Sequence, residues 1–228
     1  MQLSIIIPVL NEEKELPGLL EQLAPFRARG AEVIVVDGGS EDGSLQVASR
    51  ADVQAIRAER GRARQMNAGA FAASGDTLLF LHADTTLPLC ADQAIEAAIR
   101  RSGHPAEHVW GRFDVCIRGR FFMLRVVAKL MNWRSRLTGI ATGDQAIFVA
   151  RRAFEAVGGF PDQPLMEDVE LSKRLRALSR PICLADRVVT SGRRWETYGV
   201  WRTIWLMWRL RWSYWRGVPA NELVKSYR

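Results

Sequence analysis

Cysteine is scarce in this chain: Cys90, Cys116 and Cys183 are the only three in 228 residues. An odd number without metal-ligand spacing argues against a disulfide framework and a zinc site, and marks each as a small buried apolar residue. No run of about 18 uncharged apolar residues occurs, so no segment reads as a membrane-crossing helix. No basic stretch precedes the short apolar run near the N-terminus, so no signal peptide is expected and a reducing, cytoplasmic setting is the default. Internal repeats, low-complexity stretches and long linkers are also missing. One domain, residues 1–192, followed by an extension over residues 193–228, is the simplest division.

Apolar residues make up 48% and charged residues 25%, the composition of an ordinary globular protein. The net charge of +7 is unevenly spread: from Arg193 to Arg228 there are eight basic and two acidic residues, so the rest is nearly neutral. A nucleic-acid binder would carry its basic surface on the folded body, so no nucleic-acid partner is expected. A basic tail suits an anionic membrane surface.

Strands and helices alternate through the first half. Leu3–Ile7, Glu32–Val36, Val53–Ile56 and Thr77–Leu81 read as buried strands. Helices are expected over Glu12–Leu23, up to Arg50, over Arg60–Ala73 and over Cys90–Arg101. The second half is less regular, with strands at Val109–Ile117, Ala146–Val149 and Pro181–Leu184 and helices at Phe121–Trp133, Arg152–Val157 and Glu167–Leu178. Such alternation implies a Rossmann-like α/β fold, a mostly parallel sheet with helices on both faces. Ligands bind such sheets at the carboxyl ends of strands. Three polar clusters fall there: Pro8–Glu12, Asp37–Ser40 and His82–Asp84. Asp84, just beyond an apolar strand, suits a hard cation that takes its other ligands from phosphates, and equally suits a turn or helix cap.

Read together, four segments carry a family likeness: Ile5-Ile6-Ile7-Pro8-Val9-Leu10-Asn11-Glu12; Val35-Val36-Asp37-Gly38-Gly39-Ser40; Gly61-Arg62-Ala63-Arg64-Gln65-Met66-Asn67-Ala68-Gly69; and Ser74-Gly75-Asp76 leading to His82-Ala83-Asp84. Their order and spacing resemble family 2 glycosyltransferases of the GT-A fold, especially a subgroup of short bacterial members. The likeness covers nearly all of residues 1–178. It implies a nucleotide-sugar-binding half (1–101) and an acceptor half (102–192). It places Pro8, Asn11 and Glu12 beside the nucleoside, Asp37 with Gly39 at the base or ribose, and Asn67 near the donor. Arg62 and Arg64 are candidates for the diphosphate, since guanidinium suits phosphate; Met66 stands where many relatives have Arg. Asp84 matches the last acid of the family's D-x-D motif, next to Ala83, and implies Mg²⁺ or Mn²⁺. His82 replaces the first acid, as an extra ligand, a donor to phosphate or a structural residue.

On the acceptor side, Leu165-Met166-Glu167-Asp168 resembles the family's Glu-Asp segment. The likeness makes Asp168 the catalytic base and Glu167 its helper; acids at a helix N-terminus are the plainer account. Asp144 could bond the transferred sugar or close a turn. Arg193, Arg194 and Trp195 match loosely a loop over the diphosphate or acceptor. The implied function is an inverting, metal-assisted sugar transfer from a nucleotide-diphosphate sugar to an acceptor hydroxyl, lipid-linked acceptors being favoured by the basic tail. The altered D-x-D motif keeps open a non-catalytic nucleotide-sugar-binding or membrane scaffold. A nucleotidyltransferase lacks support, because the glycine-rich basic loop after the first strand is missing.

In the tail, Trp201, Trp205, Trp208, Trp212 and Trp215 recur at steps of four and three, forming one stripe of an amphipathic helix flanked by Arg202, Arg209, Arg211 and Arg216. Three placements fit it: the protein's own core, a homodimer seam, or a membrane interface at the inner face. Phe121–Leu124, with Arg125 and Lys129, is a second candidate patch for a membrane.

Overall fold

In the computed structural model, which describes residues 1–227, the chain begins with β1 (Leu3–Val9), α1 (Leu16–Ala28), β2 (Glu32–Asp37), α2 (Ser44–Arg50), β3 (Gln54–Arg57), α3 (Arg62–Ala72) and β4 (Thr77–Phe80). It continues through β5 (Thr85–Thr86), α4 (Ala91–Arg101), β6 (Trp110–Arg118), α5 (Met123–Thr138), β7 (Phe148–Ala150), α6 (Arg151–Ala156), α7 (Glu167–Leu178) and β8 (Ile182–Ser191). Three helices close it: α8 (Arg193–Tyr198), α9 (Val200–Trp215) and α10 (Ala220–Tyr227). Arg228, the last residue of the expected extension, lies outside the described residues.

The strands form one sheet in the order β3-β2-β1-β4-β7-β6-β8-β5. β3, β2, β1 and β4 pair in parallel, as expected. β7 then runs antiparallel between β4 and β6, which restores the first direction to β6 and to its parallel partner β8. The carboxyl ends of β1, β2, β4, β6 and β8 therefore share one edge. Both faces of the sheet are covered. Ile5 and Ile7 of β1 pack with Leu16, Leu20 and Leu23 of α1 and Ile95 of α4, while Ile6 packs with Met66 and Ala70 of α3 and Leu171 of α7. The two-residue period of a strand buried on both faces produces this split.

α1 runs to Ala28 rather than Leu23 and α5 to Thr138 rather than Trp133, and Cys90, expected buried, is exposed at the start of α4. Two further boundaries differ from expectation for local reasons. α1 starts at Leu16 rather than Glu12, because the Glu12 carbonyl accepts from the amides of Glu15 and Leu16 in a turn before Pro17. Glu12 is thereby left in the loop above β1. β8 runs on to Ser191 rather than ending at Leu184. Its register on β6 shifts between Phe113 and Asp114, leaving Ala185 and Asp186 without partners, and the polar pair Asp186-Arg187 interrupts the apolar run that marks a strand.

Candidate functional site

The loops after β1 and β2 are stitched together where the strands end. Asn11, at φ 57°, donates its backbone N–H to Ser40 Oγ (3.0 Å), and its Oδ1 accepts from Glu41 N (2.8 Å). Glu12 N donates to Ser44 Oγ at 2.8 Å. Asp37, only 2% exposed, spends its carboxylate on the amides of Gly39 and Ser40, at 3.0 to 3.2 Å. These bonds shape the loop, and Gly39 at φ 85° completes the turn. Sequence reasoning passed over Gln65. Its buried Nε2 donates to the carbonyls of Val9 and Val36, both at 2.8 Å, clamping the two strand ends. A side chain at position 38 would meet Gln65 at 2.8 Å, which explains Gly38. The signal was a glutamine on the inward face of α3 among Ala63, Met66 and Gly69.

Beyond β4, Asp84 is half-buried, and its one side-chain bond is a long one, accepted from Thr85 Oγ1 at 3.3 Å. Glu12 stands close by. Burial pushes the Glu12 carboxyl above its ordinary value against the pull of Arg193, and the Asp84 charge adds to the rise. Arg193 reaches Glu12 at 3.6 Å and Glu15 at 3.5 Å. Among the described residues no group of three or more His, Cys, Asp or Glu is arranged to hold a metal. Asp84, with oxygens largely unengaged and Glu12 beside it, fits a cation whose remaining ligands come from phosphate.

A narrow crevice next to this pair is lined by Arg62, Met66, His82, Gly143, Glu167 and Asp168. His82 Nδ1 lies 3.4 Å from Asp144 Oδ1, and its buried Nε2 has no partner. His82 is thus engaged with the acceptor half; a side chain at Gly143 would strike its ring at 2.5 Å. Although burial opposes it, the bond and charge of His82, with Arg62 and Arg194 beyond, hold the Asp144 carboxyl below its usual range. Arg62 lines the crevice, half open to solvent, 3.6 Å from Glu167. Burial and then the Asp168 charge push the Glu167 carboxyl up, with Arg62 pulling it back. Asp168 accepts from Gly143 N at 2.8 Å and Val169 N at 2.7 Å, which fixes its carboxylate at the head of α7.

Several expected site residues have other duties. Arg64 points away from the cleft into ion pairs with Asp162 (2.8 Å) and Glu59 (2.7 Å), so Arg62 alone of the two faces the acids. Asn67 bonds both backbone groups of Phe160, at 2.8 and 2.9 Å, and pins the turn before α7. Pro8 and Ala83 contribute backbone at strand ends, Ala83 buried. Trp195 packs against the core rather than over the cleft. Arg194 stacks on Tyr227 at 3.8 Å and donates to its carbonyl at 3.2 Å, drawing the end of α10 towards Arg62 and Asp144.

Among the described residues, three non-glycine residues have positive φ: Asn11, Ala146 and Met166, at 57°, 45° and 65°. Each adjoins the site, the first before Glu12, the second after the Gly143–Gln145 turn, the third before Glu167. Strain of this kind persists only where surrounding packing enforces it, and it gathers at functional sites. Met166 is held by a cluster with Val169, Leu210 and Leu223, so α9 and α10 lock the start of α7.

Residues 4–157 match the profile of "Glycosyl transferase family 2". A "PGL/p-HBAD biosynthesis glycosyltransferase" of Mycobacterium bovis (strain BCG / Pasteur 1173P2) is 35% identical over 126 residues, covering 52% of this chain and 48% of that protein. The chain thus spans about half the length of that curated relative. The fold matches S. aureus TarS 1-349 in complex with UDP-GlcNAc, at TM-score 0.63 and 20% identity over 84% of this chain and 58% of that one. It also matches the mannosyltransferase PcManGT from Pyrobaculum calidifontis in complex with GDP-Man and Mn²⁺, at TM-score 0.64 and 21% identity over 93% of this chain and 61% of that one.

Proposed function

The chain belongs to glycosyl transferase family 2, and from that premise we propose that it moves a sugar from a nucleoside-diphosphate donor to an acceptor hydroxyl with inversion at the anomeric carbon. The observation that carries this reading is convergence. Glu12 after β1, Asp84 after β4, His82 paired with Asp144, and Asp168 at the head of α7 come from distant parts of the chain to one sheet edge. The loop that Asn11, Asp37 and Gln65 build is the seat for the nucleoside. Arg62, lining the crevice and half exposed, faces the diphosphate. Asp168, fixed by two backbone amides, takes the proton of the acceptor hydroxyl. That oxygen bonds the anomeric carbon as the bond to the diphosphate breaks, and the nucleoside diphosphate leaves with the electron pair. Asp84, with Glu12 beside it, would hold a Mg²⁺ or Mn²⁺ whose chemistry is to neutralise charge on the leaving diphosphate.

The tail extends this reading to a membrane. Trp201, Trp205, Trp208, Trp212 and Trp215 are 58 to 74% exposed. They are interleaved with exposed Arg202, Arg209 and Arg216, and the buried face of the helix is the one with Leu210. A second copy packed on this stripe would bring like charges together, whereas anionic headgroups neutralise them while the indoles sit at the interface. Among the described residues no helix is long and apolar enough to cross a membrane. An acceptor presented at a membrane surface is consistent with this contact.

The test is a thermal-shift screen of UDP- and GDP-sugars with Mn²⁺ or Mg²⁺, followed by donor hydrolysis. One nucleotide should raise the melting temperature in a metal-dependent way. Asp84→Ala should abolish the metal dependence, and Asp168→Asn should keep donor binding while losing turnover. Undiminished turnover in Asp168→Asn would remove that residue as the base.

A further inference from the structure

β6 and β8 pair in parallel up to Arg118 and Ser191, the last residues of the two strands. Beyond them lies a surface hollow of about 500 Å³, which shares no lining residue with the crevice at Asp168. Its lining is basic: Arg118 and Arg120 come from the β6 side and Arg193 from α8. Glu196 is the one acid among the lining residues, and its Oε1 is taken by the amide of Arg120 at 2.7 Å. Backbone holds the two strand ends together, with Gly192 N donating to the Arg118 carbonyl at 2.7 Å. Other exposed arginines are paired, Arg29 with Asp92, Arg64 with Asp162 and Arg152 with Glu107. Arg118 has no such partner among the described residues, and the Arg120 guanidinium lies over the Phe121 ring, 5.1 Å from its centroid. Arg193 reaches Glu12 and Glu15 only at 3.6 and 3.5 Å. Solvent screens the repulsion among exposed charges, so the cluster costs the fold little and keeps its donors for an anion.

We propose that this hollow binds the phosphate headgroup of a membrane lipid and so seats the protein on an anionic bilayer beside the donor loops. Planar guanidinium forks match phosphate oxygens. Ser191 Oγ accepts from Arg193 N at 3.2 Å, which leaves its own O–H to donate. What borders the hollow selects a lipid over a free phosphate. Leu124, in the first turn of α5, lies against both strand ends: a side chain at Gly119 or Gly192 would meet it at 2.5 or 3.0 Å. From there Phe122, Val126, Leu130, Trp133 and Leu137 follow at steps of four, four, three and four, all exposed, as one apolar stripe. On the other side α8 supplies Arg193, Glu196 and Thr197 to the hollow and ends one residue before α9, whose Trp201 is 71% exposed. A lipid offers an anionic headgroup and apolar chains together, the chemistry these neighbours match. The source of the phosphate, though not the anion site itself, rests on the reading of the tail as a membrane contact. Arg193, shared between the hollow and Glu12, puts the headgroup one side chain from the donor side.

The experiment titrates the full chain by calorimetry with short-chain phosphatidic acid, kept monomeric, and with glycerol phosphate, with and without excess nucleoside diphosphate and Mg²⁺. Phosphatidic acid should bind more tightly than glycerol phosphate, and the nucleotide should not displace it. Arg118→Gln with Arg120→Gln should weaken it about tenfold, because charge-assisted bonds to the phosphate are lost. Both side chains are exposed, so this variant should melt with the parent protein. Arg100→Gln with Arg152→Gln removes the same charge from arginines paired with Glu96 and Glu107, and should bind the lipid as the parent does. Thr197→Glu, which sets a second carboxylate in the hollow and removes no arginine, should weaken binding as well. Lack of phosphatidic acid binding, an equal loss in the charge-matched control, glycerol phosphate binding as tightly as the lipid, or displacement by the nucleotide overturns the proposal. Vesicles of phosphatidylcholine with phosphatidic acid separate this site from the tail. Vesicle binding that survives Trp208→Ser with Trp212→Ser but falls in the Arg118 and Arg120 variant would sink the tail contact and leave the headgroup site standing.

Discussion

Single side chains set the chemistry at the strand ends. Gln65 holds the carbonyls of Val9 and Val36. Gln65→Leu should destabilise the fold by about 1–3 kcal/mol, because buried carbonyls lose their donor; chemical denaturation measures this. Glu12 and Glu167 respond to pH in a defined direction. Both carboxyls hold their proton more tightly in the folded chain than at the ordinary value of 4.5. They therefore contribute stability that is full below that value and is lost as pH rises through the raised ones. Glu167→Gln should match the parent protein at about pH 4 and melt above it near neutrality. A melting curve that ran parallel to the parent's at all pH values would contradict the raised carboxyl. The order of neighbouring residues singles out Asp84, Asp168 and His82 as candidates. The partner of His82 is not readable, since Asp144 is distant in sequence and arrives only through the Gly143–Gln145 turn.

At the level of elements, α9 has two faces with opposite fates. Thr203 and Leu210 are buried, while the five tryptophans stand out in solvent. α5 repeats the arrangement, with Phe122, Leu130, Trp133 and Leu137 exposed and Leu124, Val127 and Ala128 buried. Trp208→Ser with Trp212→Ser should leave the melting temperature nearly unchanged and weaken binding to anionic vesicles. Equal binding by the double variant in a vesicle sedimentation assay would count against a membrane contact. The stripe was plain in the sequence; which side of the helix faces the protein was not. Trp and Leu are both apolar, and only Met166 and Val169 of the docked neighbour select the Leu210 side.

For the whole molecule, the tail packs against the start of α7, which carries part of the candidate site. Leu210, 1% exposed, packs in the cluster with Met166 and Val169 that holds the start of α7. Leu210→Ala should cost about 2–5 kcal/mol through the cavity left behind. It should lower kcat for sugar transfer while leaving nucleotide affinity close to normal, because Asp168 loses its support and the β1–β2 loops do not. Calorimetric nucleotide binding beside steady-state transfer rates checks this split. The two halves of the chain differed in how readily they could be read. Alternating buried strands and helices in residues 1–101 carry their periodicity locally. β7, β8 and the bulge opposite Phe113 depend on pairings between segments far apart, and short or polar-interrupted strands have no local period to show.

The sequence by itself determined the α/β class, the carboxyl-end placement of the polar clusters, and the family to which the ordered motifs belong. Those follow from local periodicity and from spacing along the chain, which survive without coordinates. Only the tertiary structure paired Arg62 with Glu167 and Arg64 with Asp162, engaged Asn67 and Asp37 in loop hydrogen bonds, and set His82 against Asp144. The physical reason is that an arginine or a carboxylate is chosen by the charge it meets in space, and that neighbour is supplied by another element of the chain.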